Sequence, residues 1–60
     1  MTPLDARVLR QLRHWAGMGG TTDDVRFAFA FKRGVAGQVL ARLKAAGKVR
    51  RVKGRWYPNA

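Results

Sequence analysis

Cysteine is absent, so the chain can form neither a disulfide staple nor a thiolate metal site. Histidine occurs once, at His14, and there are three acids, Asp5, Asp23 and Asp24. Apart from Tyr57, hydroxyls are confined to Thr2, Thr21 and Thr22. General acid–base catalysis needs a positioned pair of groups with tuned pKa values. Every acid and every threonine here stands at what reads as a helix start, which leaves none for such a pair. No catalytic residue, cofactor or metal ion is expected, and the reading is of a non-enzyme. Gly17, Gly19 and Gly20 precede a helix, but no strand leads into them and no Lys follows at phosphate-loop spacing, so they read as structural. Long apolar runs are missing too. The longest, Phe27 to Phe31, has five residues, against the ~20 of a membrane span. Pro3, Asp5 and Arg7 stand where a signal peptide would carry its apolar segment. A cytoplasmic, reduced setting without a membrane partner is expected.

Positive charge is what the chain has in excess. Thirteen Lys and Arg against three Asp give a net charge of +10 over 60 residues. The three cations and three acids of residues 1–24 balance, and the ten cations of residues 25–60 face no acid. Such lopsidedness points to a polyanionic partner, nucleic acid first and an acidic protein or membrane surface second. The hydrophobic content of 47% is enough for a folded domain, although a chain this short buries only about 60% of its unfolded surface.

Thr2 as N-cap, Pro3 at the first helical position and Asp5 at capping-box spacing predict a helix over about 3–16. Its apolar stripe is Leu4, Val8, Leu12 and Trp15, widened by Leu9 and Ala16, with Gly17 as the stop. Met18 is expected against the core. Thr21 and Asp24 stand at capping-box spacing and predict a second helix over about 22–30, with Val25, Ala28 and Phe29 on one face. Phe27 lies to the side of that face, and packing on helix 1 is weighed against a partner or dimer contact. A third helix over about 33–46 carries Ala36, Val39, Leu40 and Leu43 on its apolar stripe and ends at Gly47. Beyond it, β-prone runs flank Lys53-Gly54, a hairpin signal over about 48–58. A two-residue loop would put Val49 and Trp56 on one face and Val52 and Tyr57 on the other. The register stays open, as does which of Trp56 and Tyr57 enters the core.

Three helices, then Leu40-x-x-Leu43-x-x-x-Gly47-x-Val49, then a basic hairpin: this order resembles a winged helix-turn-helix domain over nearly the whole chain. Val25, Phe29, Ala30, Phe31, Ala36 and Val39 match the pattern of the helix 2, turn and helix 3 segment, and Gly47-Lys48-Val49 looks like the helix-to-wing junction. Arg26 stands where that family favours a small residue, and Ala30 where it usually has Gly. The resemblance implies a mainly α fold with a small β-hairpin, a single domain of three helices and a wing.

On this reading the partner is double-stranded DNA. Helix 3 enters the major groove, where Gln38 can bond adenine and Arg42 guanine bidentately. Lys32 and Arg33 reach phosphates. Arg50, Arg51, Lys53 and Arg55 form a basic wing along phosphates or in a minor groove. One such module buries only ~600–1,000 Å² on DNA, so useful affinity needs a homodimer, cooperative neighbours or a second protein. The expected role is a small bacterial or phage transcriptional regulator, or an architectural protein of the nucleoid. Two alternatives are kept: an interaction module docking on an acidic protein such as transcription machinery, and an RNA-binding domain stacking bases on Trp56 or Tyr57.

Overall fold

In the computed structural model, which describes residues 2–15 and 17–59, the Thr2 hydroxyl accepts the Asp5 N–H at 3.1 Å. That cap opens α1 (Pro3–Trp15). The expected end at Ala16 lies outside the described residues. Val8, Leu9 and Leu12 are buried, and Leu4 and Trp15 pack half-buried beside them, as the stripe predicts.

The second start has both halves of its capping box. The Asp24 N–H donates to the Thr21 hydroxyl at 3.1 Å, and the Thr21 N–H donates to the Asp24 carboxylate at 3.0 Å. The resulting α2 (Thr22–Ala28) is shorter than expected. It stops because Ala30 turns left-handed, with φ 53. The Phe31 N–H then reaches back to the Arg26 carbonyl at 2.9 Å and the Ala30 N–H to the Phe27 carbonyl at 3.3 Å, a Schellman ending built without glycine. Phe29 and Phe31 flank that turn with rings stacked 5.2 Å apart. Of the predicted face, Val25 is buried and Phe29 half-buried, but Ala28 is exposed.

The third helix, α3 (Val35–Ala45), also starts later than expected, because Gly34 adopts φ 88 and interrupts the helical backbone. Arg33 therefore sits in the turn before the helix. Ala36, Val39, Leu40 and Leu43 are buried as predicted. At the far end the Lys48 N–H bonds the Leu43 carbonyl at 2.9 Å and the Gly47 N–H bonds Lys44 at 3.0 Å. This second Schellman ending delivers the chain into the hairpin.

The strands β1 (Val49–Val52) and β2 (Arg55–Pro58) pair antiparallel, with Val52 opposite Arg55 and Arg51 opposite Trp56. Lys53 and Gly54 form the two-residue loop with φ 51 and 80, the positive pair a type I′ turn requires. The register puts Val49 and Trp56 on one face, and both are buried. Tyr57 takes the other face and stays half-buried.

Helix α3 packs on both α1 and α2, while β2 lies against α1 and β1 against α3. The architecture is three helices plus a wing, mainly α with one small hairpin. One further link closes it. Gly20 exchanges two backbone hydrogen bonds with Trp56, at 2.7 and 3.1 Å, and the Trp56 indole donates to the Thr22 hydroxyl at 3.1 Å. A Cβ at Gly20 would stand 2.6 Å from the Trp15 ring, so the loop approaches that closely only because position 20 has no side chain. One expectation fails in this region: Met18 is 76% exposed rather than tucked in. Of the two readings weighed for Phe27, its 73% exposure goes against packing on α1. No described helix is long and apolar enough to cross a membrane.

Candidate nucleic-acid interface

An amphipathic helix that buries one side presents the other, and on α3 the outer side is nearly bare. Gly37, Gln38, Ala41 and Ala45 are all exposed, as is Gly34 before the first turn. A Cβ built at Gly34 or Gly37 meets no atom of the described residues within 4 Å. None of those residues covers this face, and nothing in their packing asks for glycine at position 37. An exposed mid-helix glycine costs about 1 kcal/mol relative to alanine. Gln38, at the middle of the face, offers both donors and an acceptor. Lys32 and Arg33 are exposed in the turn leading into it, and the Val35 N–H donates to the Lys32 carbonyl at 3.2 Å.

Arg42 is placed differently from the expectation. Its guanidinium grips Asp5 of α1 through both carboxylate oxygens, at 2.9 and 3.2 Å. The Asp5 carboxyl is 6% exposed and the Arg42 side chain 49%. The Arg42 hydrogen bonds hold the Asp5 carboxyl below its ordinary value, helped by the Thr2 hydroxyl and N–H and opposed by burial. The same contact raises the Arg42 pKa. The fork that would have read guanine is thus occupied within the molecule. Asp5 is more than a helix-start acid, and the reader face retains Gln38 alone among the two proposed base-contacting side chains.

The hairpin cations divide in the same way. Lys53 is exposed at the tip. Arg51 lies over the Trp56 ring, 5.5 Å from its centroid, and Arg50 lies over Tyr57 at 5.5 Å; such stacking fixes a guanidinium without neutralising it. Arg50 also donates to the Pro58 carbonyl at 3.1 Å and the Asn59 side chain at 3.2 Å. Asn59 in turn donates to the Gly47 carbonyl at 2.9 Å and so ties the end of β2 to the end of α3. Arg55 turns away from the tip and donates to the Met18 carbonyl at 3.3 Å.

Two features escaped the sequence. Lys44 and Lys48 are exposed at the end of α3 and the start of the wing; the charge count contained both and the junction motif contained Lys48, but neither was assigned a contact. On α1, Arg7, Arg10, Arg13 and His14 are exposed, and Arg7, Arg10 and His14 line a shallow groove beside Phe29. The apparent neutrality of residues 1–24 hid this basic face, because Asp5 points inward to Arg42. No family model, curated protein or solved structure matches the chain.

Proposed function

We propose that the chain is a winged helix-turn-helix domain that binds double-stranded DNA, a small transcriptional regulator or architectural protein acting in the cytoplasm. The bare outer face of α3 carries this reading. A helix whose outer face carries Gly34, Gly37, Gln38, Ala41 and Ala45, with Arg42 turned to Asp5 and Lys44 in the last turn, can bring its backbone deep into a B-DNA major groove. Lys32 and Arg33 precede it, and the wing adds Arg50, Arg51 and Lys53 for phosphates or a narrow minor groove. A single base-reading side chain, Gln38, makes sequence discrimination modest. The burial of Trp56, with Tyr57 beneath Arg50, leaves no open aromatic platform on the hairpin and favours duplex over single-stranded RNA.

The test is a fluorescence titration of a generic duplex at several salt concentrations. Five phosphate-facing cations predict a slope of log K against log salt near −4.5, from about 0.9 per phosphate. A flat slope, or no binding at low salt, refutes the reading and leaves an acidic protein as the polyanionic partner.

A further inference from the structure

Large apolar side chains left in water forgo the free energy that their burial would release. Met18 and Phe27 are the two most exposed of them among the described residues. They are not scattered. Both line one open groove with Trp15, Ala28 and Arg55, where the end of α1, the loop after it, α2 and β2 meet. The Arg26 guanidinium lies 5.6 Å from the Phe27 ring centroid, and Arg55 reaches in to the Met18 carbonyl. Asp24 also lines the groove, and Asp23, one helical turn before Phe27, is exposed beside it.

The acids decide what covers this groove. Asp5 is buried against Arg42, so Asp23 and Asp24 are the exposed acids of the described chain, and both belong to α2. A polyanion is repelled from them. Two copies of a +10 chain repel each other through any purely basic face. Among the described residues the exposed acids lie at this groove, where each copy presents apolar surface, acids and cations together, and a two-fold contact needs that self-complementarity.

We propose that the Met18–Phe27 groove is the contact surface for a second copy of this chain. The two α2 helices cross in opposite directions with Phe27 near the axis. The long Arg26 side chain of each copy, beside Phe27, reaches across that axis toward Asp23 of the other. A stable interface takes about 800 Å² per partner, about a fifth of the 4202 Å² surface. A seven-residue helix and a loop supply less, so the dimer is weak, with a Kd on the order of 10–1,000 µM.

Sedimentation equilibrium of the intact chain without nucleic acid, in salt high enough to screen the general repulsion, tests this separately from the DNA reading. The wild type dimerises across that concentration range. Phe27→Asp, at an exposed position and verified as folded by its thermal melt, weakens dimerisation at least about tenfold. Asp23→Lys and Arg26→Asp each weaken it alone, and mixing the two restores it. A wild type that stays monomeric throughout overturns the proposal. So does a dimer indifferent to Phe27→Asp, or a mixture of the two charge variants that does no better than either alone.

Discussion

Asp5→Asn removes the charge that Arg42 grips while keeping the side chain's shape, and its two effects have opposite signs. Charge-assisted hydrogen bonds contribute about 1.5–3 kcal/mol when desolvated. Here one partner is half in water, so screening brings the loss at Asp5 toward about 1 kcal/mol. Losing a negative charge in the first turn of α1 costs roughly 0.5 kcal/mol more. A total near 1.5 kcal/mol lowers Tm by about 6–12 °C in a domain of this size. The loss depends on pH. The Asp5 carboxyl is held below its ordinary value in the folded chain, so its stabilisation is fully present above the unfolded pKa of about 3.9 and fades as pH falls through the lower folded value. Wild type and variant should therefore differ in thermal melts at neutral pH and converge in strong acid. Meanwhile Arg42 is released and the net charge rises by one, so the salt slope of duplex binding steepens by at most about 0.9. Equal melting temperatures at pH 7 refute the stabilising role of the pair. Arg42→Ala that erases site preference without lowering Tm shows instead that Arg42 reads a base.

Three more substitutions probe fold and site. Ala30→Gly relieves a left-handed φ of 53 at an exposed position; after the entropy glycine gains in the unfolded chain, stability should rise by about 0.5 kcal/mol, read as a higher Tm, and a lower Tm refutes the assignment of strain. Gly20→Ala forces a methyl against the Trp15 ring and should cost about 1–3 kcal/mol in a denaturant melt, whereas an unchanged midpoint would mean that the ring moves aside freely. Gln38→Ala should weaken a selected duplex by about 1–3 kcal/mol more than a random one, while Lys53→Ala weakens both alike and reduces the salt slope by about one unit; identical behaviour of the two variants removes the division between reading and clamping.

What was legible in the sequence is local. Thr21 and Asp24 cap α2 because both partners lie within one turn, and the apolar stripes of α1 and α3 follow from helical spacing alone. The hairpin itself was legible at Lys53-Gly54 but its register stayed open; the type I′ turn decides it, and Val49 and Trp56 then fall on the inner face because strand side chains alternate. What was not legible depends on neighbours distant in sequence or on a single backbone angle. Nothing near Asp5 announces Arg42, thirty-seven residues away, so Arg42 read as a base contact and the first 24 residues as electrically neutral. The early end of α2 and late start of α3 come from the φ values of Ala30 and Gly34. Met18 and Phe27 have the composition of core residues, and only the assembled fold leaves them in water. Likewise Arg55 belongs to the wing by sequence and to the groove beside Met18 by contact.

The paired hydrogen bonds between Gly20 and Trp56 make the hairpin mechanically dependent on the helices. A two-stranded ribbon alone is marginal in water and frays from its open end. Here β2 is anchored at Trp56, one pair in from the turn, to the segment between α1 and α2, the indole locks onto Thr22 as well, and Asn59 ties the open end to Gly47 and Lys48. The wing therefore cannot open as a separate unit; breaking it exposes Trp56 and takes part of the core with it. Its opening free energy approaches that of global unfolding, and only the Lys53-Gly54 tip moves on a cheaper scale. A ribbon so held behaves as a rigid arm set at a constant angle to α3, and any duplex that accommodates both must match that angle.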